Sequence, residues 1–273
     1  MTQTATRTST MCLAAIAWNV HPRYRAIVIA NRDEFHARES AALGPWEERG
    51  EILAGRDLQA GGTWFGIDRR RRIGLVTNYR ELARPRRNAP TRGRLVSDFL
   101  GTRHGPGGYL EQLADDSPGY AGFNLLLADE QDLWYATNRA EPFARRLQPG
   151  VHVVSNHVLD TPWPKVRRLR AALESWLAVE SGPTKTPDPA PLWTALADRE
   201  CARPIDLPQT GLSAEWELRL SAAFVQHGDY GTRCSTLLLL GHDGTVDIEE
   251  RGFDVAGQPT GKAIWRLRAD EWV

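Results

Sequence analysis

The sequence predicts an α+β fold of two packed antiparallel sheets with a few helices outside them. Three observations lead there. Short apolar runs recur in pairs around turn residues, helical periodicity is confined to three stretches, and no repeat of fixed period runs through the chain.

The hairpins come first. Leu13–Trp18 and Arg25–Ala30 flank Asn19-Val20-His21-Pro22, a hairpin with a longer loop. Trp64–Ile67 and Ile73–Thr77 flank Asp68 and the run Arg69 to Arg72, which reads as a solvated charged turn. Phe123–Ala128 and Leu133–Ala136 enclose Asp129-Glu130-Gln131. Thr236–Leu240 and Val246–Glu250 enclose Gly241-His242-Asp243-Gly244, a strong turn sequence. Val151–Ser155 and Ala263–Leu267 are further strands. Arg94–Leu100, after Thr91-Arg92-Gly93, is a short helix. In a second helix Val166, Leu169, Leu173, Trp176 and Leu177 share one face. Trp216, Leu220 and Phe224 repeat at i, i+4 and i+8 in a third. Glu180 to Pro191 reads as a loop between helices, and Arg84-Pro85-Arg86-Arg87 as another solvated loop.

Composition narrows the function classes. The 273 residues are 41% hydrophobic and 25% charged, with net charge +0, so no global field favours nucleic acid or an acidic membrane. No apolar run approaches the roughly 18 residues of a membrane span, and the run from Cys12 to Trp18 is too short for a signal-peptide core. Three scattered cysteines, Cys12, Cys201 and Cys234, argue against a disulfide framework and for a reducing, cytoplasmic setting. No Cys/His cluster has zinc spacing and no haem-attachment motif occurs, so no cofactor is expected.

Cys12 carries the chemical reading. It follows Met11 at the head of a strand, behind the Thr/Ser-rich stretch Met1 to Thr10. We expect residues 1–11 to be an extension or propeptide and 12–273 a single domain. Removal of Met11 would leave Cys12 with a thiol and a free α-amine on one residue. That amine titrates near 7.7–8.0 when unperturbed, so it can accept a proton near neutrality, and the thiol is the most nucleophilic common side chain there. A buried structural cysteine is the competing reading. Asn31-Arg32-Asp33-Glu34 ends the second strand of the first hairpin, where antiparallel pairing brings it level with Cys12. There an Arg can lower a thiol pKa and an Asp can orient an amine.

With Asn31-Arg32-Asp33-Glu34, further signatures follow in order: Ala54-Gly55-Arg56-Asp57, Gly61-Gly62-Thr63-Trp64, Val76-Thr77-Asn78-Tyr79-Arg80, Thr91-Arg92-Gly93 and Phe123-Asn124-Leu125-Leu126. Ser155-Asn156, Leu159-Asp160, Pro162-Trp163-Pro164-Lys165-Val166 and Gly231-Thr232-Arg233-Cys234-Ser235-Thr236 complete the set. From about Met11 to about Arg251 the chain resembles the NRDE family, also called the Transport and Golgi organisation family. That family is similar to the N-terminal-nucleophile hydrolases, of the cholylglycine hydrolase and penicillin V acylase type. The resemblance implies a four-layer α-β-β-α sandwich with Cys12 as nucleophile and Arg32 and Asp33 as its neighbours. It further implies Asn156 as an oxyanion donor, Arg233 as a residue holding the site together, and Asn78 as a donor facing substrate. The acylases separate the Arg and Asp that are adjacent in this chain, and the residues before Cys12 also depart from their pattern. Gly61-Gly62-Thr63-Trp64 precedes a strand, so it reads as a turn carrying Trp64 towards a ligand cleft rather than a phosphate loop.

Two functions from different classes follow. One is an N-terminal cysteine hydrolase acting on a non-peptide amide or related acyl bond of a small molecule. The other, implied by the resemblance, is a non-catalytic carrier or chaperone of haem, lipid or acyl-CoA on the same fold. A small acyl or amide substrate, or a hydrophobic ligand, is the expected partner. Oligomeric state is not legible.

Overall fold

The computed structural model describes residues 11–81, 89–182 and 187–273, so the Arg84–Arg87 run and residues 1–10 of the expected extension lie outside the described residues. From the amino end the strands are β1 (Met11–Trp18), β2 (Tyr24–Phe35), β3 (Ser40–Trp46), β4 (Arg49–Asp57), β5 (Phe65–Asp68), β6 (Ile73–Asn78) and β7 (Phe123–Ala128). They continue as β8 (Leu133–Thr137), β9 (Ala144–Leu147), β10 (Gly150–Val154), β11 (Gln226–His227), β12 (Tyr230–Gly241), β13 (Val246–Phe253) and β14 (Pro259–Leu267). The helices are α1 (Gly93–Gly101), α2 (Pro106–Ala114), α3 (Pro164–Glu180), α4 (Ala190–Leu196) and α5 (Ala214–Arg219).

One antiparallel sheet has the order β10-β1-β2-β12-β13-β14, with β11 paired to β12, and the other runs β3-β4-β5-β6-β7-β8-β9. Side chains alternate across a strand, and β1 uses both faces. Ala14, Ile16 and Trp18 meet Phe65, Leu75 and Leu126 between the sheets. Leu13, Ala15 and Ala17 meet Leu169, Leu173 and Trp176 of α3. On the far side, Ile52, Val76 and Leu125 pack on Leu95 and Phe99 of α1 and Leu110 of α2. These three cores separate four layers, the α-β-β-α sandwich that the resemblance implies. Burial of β1 on both faces explains why its sequence is a continuous apolar run rather than an alternating one.

Three local expectations change. The third helix stops at Arg219, so Phe224 is not on it. The Phe224 N–H donates instead to the Asp198 carbonyl, which turns the chain away. His21, a lone histidine expected as a surface or capping residue, is buried rather than exposed and caps its turn, its Nδ1 accepting from the Arg23 and Tyr24 N–H groups. The arginine run is the third case, because Arg71 and Arg72 are buried. Arg72 pairs with Asp68 at 2.6 Å and donates to the carbonyls of Leu100, Thr102 and His104 behind α1. Arg71 donates to the carbonyls of Gly244, Arg268 and Glu271. Two of the four arginines are therefore buried against backbone carbonyls, and the more exposed Arg70 also donates to the Thr102 carbonyl.

Candidate active site

Antiparallel register builds the site. Cys12 lies opposite Arg32, Arg32 opposite Cys234, and Thr232 opposite Asp33, so three strands meet at one sheet end. A bulge between Thr232 and Cys234 takes up the extra residue, Arg233. Alternation then sends Arg32 towards the second sheet and Asp33 towards the helices. The Arg32 guanidinium stacks 4.2 Å from the Trp64 ring centroid, and its Nη2 stands 3.9 Å from Glu34. Cys12, Arg32, Trp64, Val76 and Thr77 line a small cavity of about 10 Å³.

The glycine-bearing signatures explain how Trp64 comes to be there. A Cβ on Gly55 would stand 2.3 Å from the Trp64 ring. A Cβ on Gly62 would stand 2.3 Å from the carbonyl carbon of Gly93, so only glycine lets this turn reach the start of α1. That approach also brings in Arg92, whose Nη1 donates to the Gly122 carbonyl at 3.0 Å. Burial lowers its pKa to about 10 against the pull of Cys12 and Glu34. Sequence reasoning used Arg92 only as part of a motif.

Asn156 arrives from the end of β10. Its Nδ2 donates to the Asn78 carbonyl at 3.0 Å, and the neighbouring Ser155 Oγ donates to the Cys12 carbonyl at 2.9 Å. The second sheet is tied to the same point, with Thr77 Oγ1 donating to the Ser155 carbonyl at 2.6 Å. Asn156, Asn78 and Cys12 are thus brought together. Arg233 sits beside this group rather than in it: its Nη1 donates to the carbonyls of Phe35, His36 and Arg38 and braces the turn after β2.

Burial governs the electrostatics. It pushes the Cys12 thiol up to about 12, and Asp33 adds to the rise while Arg32 and the Asp33 N–H work against it. Asp33 is fully buried, and burial raises its carboxyl to about 6, opposed first by Lys165 and then by the Thr232 hydroxyl, which donates to its Oδ1 at 2.7 Å. Cys234 is also raised by burial, and Glu250 accepts its S–H. With Met11 attached, then, the Cys12 thiol stays protonated at neutral pH. A chain retaining Met11 should resist iodoacetamide at Cys12 while native and react once unfolded, which peptide mass mapping over time will read. Native alkylation at the rate of an ordinary free thiol would contradict it. Among the described residues no cluster of His, Cys, Asp and Glu could hold a metal ion, and no helix is long and apolar enough to cross a membrane.

The family model described as Transport and Golgi organisation 2 matches residues 11–255. The chain belongs to this family. It is 35% identical over 279 residues to the Transport and Golgi organization protein 2 homolog of Bos taurus, covering 92% of this chain and 95% of that protein. Its identity to the Transport and Golgi organization protein 2 of Drosophila melanogaster is 25% over 272 residues, covering 91% and 95%. Among solved structures it is similar to penicillin V acylase from Agrobacterium tumefaciens, with 12% identity, a TM-score of 0.39, and coverage of 94% of this chain and 86% of that one. The Transport and Golgi organisation 2 match begins at Met11, the residue just before Cys12.

Proposed function

We propose that this protein is an N-terminal cysteine hydrolase that cleaves a non-peptide amide, or a related acyl bond, of a small molecule, once Cys12 has become its first residue. The observation that carries the proposal is the placement of Cys12 at the head of β1, with Arg32 opposite it, Asp33 one residue further on, and Asn156 at the same sheet end. Loss of Met11 removes the backbone that pairs with Asp33 and opens that end of the sheet.

The α-amine of Cys12 takes the thiol proton, and the thiolate attacks the acyl carbon. Negative charge then gathers on the carbonyl oxygen, where the Asn156 amide supplies a donor. Collapse breaks the C–N bond, and the Cys12 ammonium returns its proton to the leaving nitrogen. Water cleaves the thioester, releasing the acid and restoring the thiol. Arg32 favours the thiolate by its charge, and Asp33 orients the amine.

Intact mass of natively expressed protein tests the first step, with a chain beginning at Cys12 as the expected result. A mature chain that keeps Thr2 to Met11 would sink the mechanism. A second test separates binding from transition-state stabilisation. Asn156→Ala should slow turnover by about 10²–10³ while Cys12 remains open to labelling by an acyl thiol reagent, because one oxyanion donor has been removed. Equal loss of labelling and turnover would give Asn156 a structural role instead.

A further inference from the structure

Behind the Cys12 thiol, on the helix side of the sheet, lie two charged groups, each with a buried atom that finds no hydrogen-bond partner among the described residues. Asp33 Oδ2 and Lys165 Nζ are both buried without a partner, and Lys165 is 1% exposed. Lys165 belongs to the buried face of α3, one turn ahead of Leu169 and two ahead of Leu173. Two such charges are not retained in a protein interior for packing alone, since each pays several kcal/mol of desolvation. Burial pulls Lys165 down to about 8, with Asp33 as its first opposing influence and Cys12 a further one. The other groups facing it are Arg80, after β6, and Arg168, on its own helix, both cations that oppose its charge. Asp33 in turn faces Lys165, Thr232, Arg32 and Glu34.

We propose that Lys165 is a positioning residue for the amino terminus of processed Cys12: its ammonium, facing Asp33 and Cys12 together, keeps the α-amine in its neutral, proton-accepting form and Asp33 ionised. This deepens the reaction proposed above and rests on it. The sign is the same for both groups. A nearby positive charge lowers the pKa of an amine and of a carboxyl alike. Removing it raises both, so a higher pH is needed before the amine can accept the thiol proton and Asp33 can orient it.

The test uses the processed protein, with intact mass establishing that Cys12 is the first residue. Alkylation of Cys12 by iodoacetamide is followed across pH by mass on the amino-terminal peptide, beside turnover on N-acyl substrates. Lys165→Met and Lys165→Gln remove the charge, and Lys165→Arg keeps it. The acid limb of the reactivity profile should move up by about one pH unit or more in the first two and stay at the wild-type position in the third. Lower activity with an unmoved limb would make Lys165 structural and overturn the proposal. Should neither neutral variant fold, the wild type decides by ¹⁵N titration of the Cys12 α-amine. The proposal requires a value below the roughly 7.7 of an unperturbed amino terminus, and one at or above it overturns the proposal. Alkylation needs no substrate, so a wild type that fails to hydrolyse any amide would remove the hydrolase reading while leaving the Lys165 result readable.

Discussion

Cys12→Ser is expected to leave the protein folded and to abolish amide hydrolysis, with kcat falling by about 10⁴ or more, because the nucleophile itself is lost. Serine nearly conserves the volume, and its oxygen can take the Asp33 N–H that now serves the thiol. Cys12→Ala should behave alike, with a stability cost of about 1 kcal/mol, since a small side chain beside an existing cavity leaves little new void. Turnover on a panel of N-acyl substrates, thiol labelling and thermal unfolding read the three consequences. A carrier would answer differently. Its affinity for haem or acyl-CoA would follow cleft residues such as Trp64 and ignore both the Cys12→Ser and Asn156→Ala changes. Tight ligand binding of that kind, with no hydrolysis by wild type, would replace the enzyme reading with the carrier one.

The largest stability effect is expected at Arg72. Arg72→Ala removes the partner of buried Asp68 and leaves the carbonyls of Leu100, Thr102 and His104 without their donor. Breaking a buried pair from one side costs about 3–5 kcal/mol, a large share of the total stability of a domain. The loss should shrink on acidification. Burial already holds the Asp68 carboxyl above its ordinary range, with Arg72 opposing the rise. Without Arg72 that carboxyl rises further, so the cost of an unpaired carboxylate, present above its pKa, is relieved as pH falls through it. Urea titrations at neutral and mildly acid pH measure both statements, and a change under about 0.5 kcal/mol would mean that the turn is solvated after all.

Regular pattern made most of the sandwich legible. The hairpins of β1 with β2, β5 with β6, β7 with β8 and β12 with β13 are all present, because paired apolar runs around polar turns leave few other arrangements. Strand β3 was not legible, as Ser40–Trp46 carries a glycine and a proline and lies at the edge of its sheet. Helix α2 was missed for a related reason. Gly107 and Gly108 argue against helix, yet Gly107 lets the segment settle on the Trp134 ring. At the site, Cys12 and the Asn31–Glu34 segment are joined by simple register, so a hairpin suffices to bring them level. Lys165 is legible as a charge at helical spacing from Leu169, Leu173 and Trp176, on the face of α3 that packs against the sheet. Arg92 gave no such sign, since its position depends on the contact of Gly62 with Gly93, which no local pattern encodes.

Strand β1 lies inside its sheet, held by β10 on one side and β2 on the other through Trp18. Taking away everything before Cys12 removes one of the eight β1–β2 register pairs, Met11 with Asp33. Folding should therefore not depend on the processing proposed above, and this bears directly on how the protein is purified. On the proposed mechanism, an affinity tag fused at the amino end would leave the sandwich intact and, wherever it is not removed with the residues before Cys12, would block the α-amine. Such a preparation would melt cooperatively, look native and turn over nothing, and would be taken for a binding protein. Any tag belongs at the carboxyl end, beyond β14, at the sheet edge three strands away from β2.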